Sequence, residues 1–463
     1  MQRRHNLTDL LFLAAYACVL VAVAVSLPLG VPEVQNIAWS ADFSWSRFFA
    51  WMSNAPDPSP LGYLVQLPFV LLFGASRLGV RLPALIFAVG ASFLLLRLAG
   101  RAALRWKYVA LLLFMLVPAQ LLAITAATQY ELATFFVLLA TLKFFDLIAK
   151  PAFQTAILFA LTIAACLYTD HHSVLPLFGA ILFLLRFAGR PKERKATYFA
   201  LGACVAGIAS YVPYYVWGHA EPNPYWFAEA ALSVRSFLTA TPVDWALFAG
   251  VLLIFAGVIV GAAVSFRLPP SQVICQIILF CLFGSVLVPL LFTLGNLMSP
   301  PYAMAPRDLL YMAPAAVILF AAALEWVASL RLLVASPGAI RGVAVGLGIA
   351  VLAVCILADA QLVSSPKQNI ALESSYVMPE LVADSCVVFV SERYSKWLFL
   401  VFQPQLEEHE CLTFFHHRIV LAVHPYVRPD QASDAESYFR GLDFDVLKRI
   451  ASGGGEILVL DSQ

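Results

Sequence analysis

Charged residues are scarce in this 463-residue chain: they make up 12% of it, whereas hydrophobic residues make up 61%. The mean hydropathy of +0.84 lies outside the usual range of soluble globular domains, in which about a quarter of the residues are charged. This composition excludes an ordinary soluble enzyme and indicates that the bilayer is the solvent of most of the chain. The net charge of +1 gives no indication of a nucleic-acid partner.

The sequence also lacks the motifs of common soluble enzymes. It contains no Walker A sequence, no Gly-x-Ser-x-Gly, no His-Glu-x-x-His and no Cys-x-x-Cys. The glycines Gly453–Gly455 precede a predicted strand, whereas a phosphate-binding loop needs a helix after its glycines. Any active site must therefore come from the apolar part of the chain and its loops.

Long apolar runs recur through residues 1–363, which we predict to be one transmembrane module. Each run can cross about 30 Å of hydrocarbon as a helix, and irregular backbone cannot face lipid. The predicted fold class is a polytopic α-helical membrane protein. Its eleven predicted spans lie at residues 10–30, 81–98, 108–124, 132–148, 152–169, 173–189, 196–217, 245–266, 272–295, 309–329 and 341–363.

The basic residues predict the orientation of the spans. With Arg3 and Arg4 inside, 16 of the 21 Lys and Arg residues up to Arg341 fall on the cytoplasmic side, as the positive-inside rule requires. Most acidic residues fall on the other side. We therefore expect a multi-pass inner-membrane protein whose active site and C terminus are extracytoplasmic, with membrane lipids as partners.

Residues 31–80 are predicted to form one long external segment. Its apolar stretch Leu61–Phe73 is short, follows three prolines and contains Pro68, so we interpret it as a helix in the outer interface and not as a span. The stretch from Glu33 to Met52 places tryptophans and phenylalanines among polar residues, as an interfacial helix does.

Residues 364–463 are polar and are predicted to form a small extracytoplasmic α/β domain. Cys386 and Cys411 lie here, outside the apolar runs. They form a disulfide if the domain folds in an oxidising compartment, or they are a pair of free cysteines. The predicted strands are Cys386–Val390, Arg418–Val423 and Glu456–Leu460, and the predicted helices are Ala432–Arg440 and Phe444–Ile450.

Ionisable residues collect at the external ends of the spans, where they are costly unless they are satisfied. Glu33 suits a general base if burial raises its pKa, or it is an acid at a helix N terminus after Pro32. Asp57 is either a second acid or a solvated turn residue. Arg81 and its neighbour Arg77 suit a phosphate, or they anchor the interface.

Two short loops hold further polar groups near the external surface, Gln129-Tyr130-Glu131 and Asp170-His171-His172. The second has donor atoms that suit a metal, but no further Cys/His set completes a tetrahedron. We therefore predict no metal, and a hydrogen-bonding, acid or capping role for these residues. His219 lies in a later external loop.

Arg307 opens the tenth predicted span. A cation is unfavourable at a helix N terminus, so Arg307 is expected to have a partner, either Asp308 or a bound anion.

Three elements of one stretch resemble those of a known group. The segment from Pro60 to Leu64 is similar to the group's His-Pro-Pro-Leu element, Phe73-Gly74 to its Phe-Gly, and Arg81–Leu85 to its Arg-Leu-Pro-Ser-Ala-Leu. The group is the family 39-like members of the GT-C glycosyltransferase superfamily, which include protein O-mannosyltransferases, the lipid A aminoarabinose transferase and rhizobial galacturonosyltransferase-like proteins.

Three further positions resemble the same group. Glu33 falls at its Asp-Glu pair, with Pro32 in place of the first acid. Tyr130 falls at its Arg-x-Tyr element, with Thr128 in place of the arginine, and Tyr168–His172 falls at a Thr-His-Tyr-like element.

The resemblance implies a membrane glycosyltransferase without a cofactor, which moves a sugar from a polyprenyl-phosphate donor to a lipid, glycan or protein acceptor. Two readings of other classes stay open: a membrane transporter, and a non-catalytic assembly subunit derived from a transferase. The roles that the resemblance implies are Glu33 as base, Asp57 or Asp170 as second acid, and Arg81 and Arg307 as ligands of the donor phosphate. We expect Glu33 and Arg81 to face one cavity without forming a tight pair, because a close pair would make the carboxylate a poorer base. The candidate substrate-binding residues are Tyr130, His171, His172 and His219.

Overall fold

The structure, a computed structural model, describes part of the chain. Short runs and single residues between the continuous stretches are also described, among them Leu29, Glu33, Gln120 and Ser173. The continuous stretches are residues 2–27, 60–74, 76–117, 129–170, 194–218, 313–329, 385–390, 418–423, 444–452 and 455–462.

The continuous stretches of the apolar part of the chain are mostly helical. The predicted span 108–124 is wrong as a single helix, because the helix that begins at Lys107 ends at Met115. Apart from Ser173, the predicted spans at 173–189, 245–266 and 272–295 lie outside the described residues, so the count of eleven stays a prediction. The helices are α1 Gln2–Ser26, α2 Pro60–Phe73, α3 Arg77–Arg101, α4 Lys107–Met115, α5 Gln129–Ala149, α6 Phe153–Thr169, α7 Arg194–Gly218 and α8 Ala313–Ser329.

Four of these helices contain segments that are long and apolar enough to cross a membrane. A helix satisfies all of its own backbone hydrogen bonds, which is the condition for crossing hydrocarbon. The described part of the chain therefore has the architecture of an α-helical membrane protein. The four segments are Leu7–Ser26, Arg77–Arg101, Tyr130–Ala149 and Arg194–Tyr214.

Helix α2 is the apolar stretch that the sequence predicts to be an interfacial helix. It is helical as predicted, and it packs against α3, α5 and α6. On its inner side the buried Gln66 donates through Nε2 to the carbonyl of Val80, at 3.1 Å. At its C-terminal end Leu72 is 76% exposed, which suits contact with lipid.

A tight turn joins α2 to α3. Gly74 has a φ of 62°, which glycine adopts without strain. Ser76 caps α3 by accepting a hydrogen bond from the backbone N–H of Gly79, at 3.1 Å. A Cβ atom at Gly79 would lie 2.5 Å from the Cβ of Phe73, so the close approach of the two helices requires glycine there.

Helices α3 to α8 share one apolar core. Leu95 of α3, Phe114 of α4, Phe144 of α5, Phe159 of α6 and Phe320 of α8 are all buried in it. Helix α3 packs against α1, α2, α4 and α5, while α6 packs against α5 and α7.

The bundle has two chemically different ends. We call the end where α1 and α6 finish and α3 and α5 begin the site end. We call the opposite end, where α1 and α4 begin and α3 and α5 finish, the basic end.

The C-terminal segment contains a four-stranded sheet of order β1-β2-β4-β3. Strands β1 and β2 are parallel, whereas β4 is antiparallel to both β2 and β3. Both faces of β4 are buried, since Ile457, Leu458, Val459 and Leu460 are each at most 2% exposed. The strands are β1 Ser385–Val390, β2 Arg418–Val423, β3 Phe444–Ser452 and β4 Gly455–Ser462.

The prediction of a helix at Phe444–Ile450 is wrong, because these residues form β3. The apolar residues Phe444, Leu447 and Ile450 recur every three positions, which imitates a helix. In the sheet the register shifts between Val446 and Lys448, so one extra residue interrupts the alternation of a strand. The bulge residue Leu447 is 60% exposed.

The other three predicted strands are confirmed. Within the predicted helix Ala432–Arg440, the described residues Ser437, Tyr438 and Arg440 are helical. Cys386 is disulfide-bonded. Its predicted partner Cys411 lies outside the described residues, so that pairing stays a prediction.

Candidate functional site

A buried ion pair lies at the site end. The Arg81 guanidinium donates from Nε to Glu33 Oε1 at 2.5 Å and from Nη2 to Glu33 Oε2 at 2.7 Å. Both side chains are 0% exposed. This bidentate geometry is the strongest form of an arginine–carboxylate contact.

The same arginine also caps the end of α1. Its Nη1 donates to the carbonyls of Ala24 and Leu27, at 2.7 and 2.9 Å. Arg77, one turn earlier on α3, donates to the carbonyls of Val25 and Ser26, at 3.2 and 3.5 Å. The final carbonyls of a helix have no partner within the helix and carry the negative end of its dipole, so two cations satisfy four consecutive acceptors here.

These contacts correct the expectation for Glu33 and Arg81. The sequence predicts that the two face one cavity without a tight pair, and this prediction is wrong. A carboxylate held by two guanidinium donors is stabilised in its ionised form, which makes it a poor general base. The arginine that was expected to meet the donor phosphate already bonds Glu33 and α1.

Gln120 and Glu131 form a second buried polar pair. Glu131 is in the first turn of α5, where the helix dipole favours a negative charge. With its amide nitrogen turned toward α5, Gln120 donates to both Glu131 carboxylate oxygens, at 3.0 Å to Oε2. The two side chains are at most 1% exposed.

Neither residue of this second pair was among the predicted site residues. The sequence marks the triplet Gln129-Tyr130-Glu131 as polar, but the resemblance selected Tyr130 from it. Tyr130 is buried, at 6% exposed, and its carbonyl accepts a hydrogen bond from the Thr134 hydroxyl at 2.8 Å. The sequence signal that could have identified Glu131 was an acidic residue at the start of an otherwise apolar helix.

Asp170 is the C-cap of α6 and is 2% exposed. Its backbone N–H donates to the carbonyl of Cys166 at 2.8 Å. Its own carbonyl accepts from the Ser173 backbone at 3.0 Å and from the Ser173 hydroxyl at 2.6 Å. These bonds fix the backbone where α6 ends and hold the carboxyl group at the site end.

Three tyrosines, Tyr168, Tyr211 and Tyr214, pack together where α6 and α7 finish. The Tyr168 and Tyr211 ring centroids are 5.3 Å apart at 87°, an edge-to-face contact. The Tyr168 hydroxyl donates to the Ser210 carbonyl at 2.7 Å. This cluster joins α6 to α7 beside Asp170.

The structure therefore brings Glu33, Arg81, Tyr130 and Asp170 to the same end of the bundle. Among the described residues, no three His, Cys, Asp or Glu side chains come together as a metal site requires. The predicted site residues that lie outside the described residues are Asp57, His171, His172, His219 and Arg307.

No protein-family model matches the sequence, and no curated protein matches it. The structure is similar to the crystal structure of ArnT from Cupriavidus metallidurans in the apo state, with a TM-score of 0.56 and 14% identity. That similarity covers 98% of this chain and 98% of ArnT.

Two further solved structures have the same fold. ArnT from Cupriavidus metallidurans bound to undecaprenyl phosphate matches with a TM-score of 0.55 and 13% identity, over 97% of each chain. The cryo-EM structure of the arabinofuranosyltransferase AftD from Mycobacteria matches with a TM-score of 0.53 and 14% identity, over 98% of this chain and 40% of AftD. The chain therefore has the fold of ArnT and AftD.

Proposed function

We propose that this protein is a membrane glycosyltransferase that transfers a sugar from a polyprenyl-phosphate donor to an extracytoplasmic lipid, glycan or protein acceptor. The observation that carries the proposal is the match over almost the whole chain to ArnT, a structure of which holds undecaprenyl phosphate. The burial of three acids and one arginine, Glu33, Glu131, Asp170 and Arg81, at one end of the bundle supports it, because intramembrane ionisable residues mark functional sites.

The transfer needs a base for the acceptor hydroxyl and donors for the leaving phosphate. Since Glu33 is held by Arg81, we assign the base to one of the other two predicted acids, Asp170 or Asp57. Asp170 is the stronger candidate on the described geometry, because its backbone is fixed at the site end. Arg307 remains the proposed ligand of the phosphate.

We place the site end and the C-terminal sheet outside the cytoplasm, in an inner-membrane protein. The basic end carries Arg101, Lys107 and Lys143, as the cytoplasmic side should. The disulfide at Cys386 suits an oxidising compartment. Reporter fusions after Val363 test this topology: activity of an extracytoplasmic reporter supports it, and activity of a cytoplasmic reporter alone overturns it.

The direct test of function uses purified protein in nanodiscs. We expect undecaprenyl phosphate to raise the melting temperature, while undecaprenol, which lacks the phosphate, has a smaller effect. With a panel of undecaprenyl-phosphate-linked sugars and a membrane extract as acceptor source, we expect release of undecaprenyl phosphate from at least one donor. Asp170→Asn should abolish release while keeping the thermal shift.

A non-catalytic subunit is the second candidate, and the engagement of Glu33 in an ion pair favours it, because the resemblance assigns the base to that residue. Such a subunit would bind undecaprenyl phosphate without releasing it from any donor. Equal shifts with undecaprenyl phosphate and undecaprenol would contradict both candidates.

A further inference from the structure

The first part of the external segment, between α1 and α2, is attached to the bundle through buried residues. Leu29, Glu33, Ile37 and Ser40 are 6%, 0%, 4% and 1% exposed. Glu33, Ile37 and Ser40 are helical, and their spacing of four and three residues is that of one helix face. Glu33 is the charged member of this face.

Arg81 bonds Glu33, the charged residue of that face. One guanidinium bonds two carbonyls at the end of α1 and both oxygens of Glu33, and it stands on the second turn of α3. It therefore joins three parts of the chain at one point: the end of α1, the start of α3 and the external segment.

The burial of the pair limits what either residue can do. Removing one partner of a buried ion pair leaves an uncompensated charge, which is far more costly than removing the pair together. If Glu33 took a proton from an acceptor, Arg81 would be left as a buried cation without a counter-charge. If Arg81 turned to a phosphate, Glu33 would be left as a buried anion without its guanidinium.

We propose that Glu33 and Arg81 are a positioning pair: they hold the external segment against the bundle, so that other site-end residues meet the substrate, and they do not handle the proton or the phosphate themselves. The proposal rests on the proposed transferase function for its purpose, but the attachment of the segment can be tested without any reaction.

Arg77 provides a matched control. It stands one turn before Arg81 on α3 and caps the neighbouring carbonyls of α1. Among the described residues, Arg77 donates to these backbone carbonyls and bonds no carboxylate. Arg77→Gln thus removes a capping arginine while keeping the pair.

The experiment uses the full chain in nanodiscs and compares Glu33→Gln, Arg81→Gln, the double variant and Arg77→Gln. Hydrogen exchange is measured by mass spectrometry in peptides from residues 28–59. We expect exchange to rise at least about tenfold in each single variant, because one charge is left buried. The double variant should exchange no faster than the worse single variant, and Arg77→Gln should stay near wild type.

Additive effects in the double variant, or unchanged exchange in Glu33→Gln, would overturn the attachment. If Glu33→Gln does not fold, recovery of folding in the double variant supports the pair, since it removes the stranded charge. If Glu33→Gln and the double variant both fail to fold while Arg77→Gln folds normally, the expectation that the double variant is the milder change is contradicted.

A second measurement separates positioning from proton transfer. If Glu33 only positions the segment, the residual transfer by Glu33→Gln keeps the wild-type pH profile of kcat/KM. Loss of the acidic limb of that profile would identify Glu33 as the base and overturn the proposal. If wild-type protein transfers no sugar, the proposed function fails, and the exchange result still decides whether the pair holds the segment.

Discussion

The two ends of the bundle use the same kind of ion pair in different surroundings. At the site end, Arg81 and Glu33 are both 0% exposed. At the basic end, Arg101 bonds Asp146 at 2.7 Å, with side chains 28% and 41% exposed. Lys107 bonds Asp9 at 3.1 Å, with side chains 19% and 24% exposed.

This difference changes what each pair contributes. A part-exposed pair gains about 0–1 kcal/mol, because water already solvates both charges. A buried pair takes two charges out of water and holds them only while both partners remain. The basic end can therefore tolerate changes of charge, whereas the site end cannot. Among the described residues, the buried charged side chains lie at the site end, and buried ionisable residues in a membrane protein mark a candidate functional site.

The largest loss of stability is expected from Arg81→Ala, which removes one partner of the buried ion pair at the site end. It leaves Glu33 buried without its guanidinium and removes two caps of α1, so we expect a loss of about 3–5 kcal/mol. Unfolding of the protein in mixed micelles by increasing SDS fraction measures the change.

Arg101→Ala at the basic end is the matched control, with an expected loss of about 1 kcal/mol or less. Equal losses in the two alanine variants would show that the two ends do not differ energetically.

A smaller effect is expected from Gln120→Leu at the site end. The buried Glu131 carboxyl group then loses its amide partner inside the protein, which costs about 1–3 kcal/mol. The same unfolding assay measures the change. The double variant with Glu131→Leu should lose less than the sum of the two single variants, and additivity would show that the amide does not satisfy this carboxylate.

Most of the described helices could be predicted from sequence, because apolar length and the positive-inside rule act locally and additively. The exception is α4, which ends at Met115 within the predicted span 108–124. The stretch Leu61–Phe73 is helical as predicted, and its prolines and short length predict that it does not span the bilayer. The strand β3 was not, since a bulge at Leu447 gives a strand the spacing of a helix, and only the pairing with β4 distinguishes the two.

The sequence predicted which end of the bundle the site residues occupy better than it predicted which of them contact one another. Glu33, Arg81 and Asp170 were selected because they stand at span ends, and the structure does bring them to one end. That Arg81 bonds Glu33 across 48 positions of sequence depends on how α1 and α3 pack, which no local pattern shows. Gln120 was missed for the same reason, since its partner lies on another helix.

A substitution at the basic end should cause a small loss of stability that depends on the salt concentration. Lys107→Ala removes the ammonium that bonds Asp9, while the Tyr108 hydroxyl still donates to that carboxylate at 2.9 Å. We expect a loss of about 0.2–1 kcal/mol at low ionic strength. Raising the salt to about 1 M should reduce the difference from wild type, because the Debye length falls to about 3 Å. A loss that does not respond to salt would mean that Lys107 contributes by packing on Tyr108.

The smallest effect concerns the turn between α3 and α4 at the basic end, where no charge is involved. Ala103 has a φ of 52°, a left-handed conformation that costs a residue with a Cβ about 1–2 kcal/mol. The surrounding bonds are those of a helix C-cap, with the Leu104 N–H donating to the Ala99 carbonyl at 3.1 Å. Ala103→Gly removes the strain but adds about 0.5–1 kcal/mol of backbone entropy to the unfolded chain. We therefore expect a net stabilisation of about 0.5 kcal/mol, independent of salt, in the same SDS unfolding assay. A destabilised Ala103→Gly variant would show that the Ala103 methyl group makes a contact worth more than its strain.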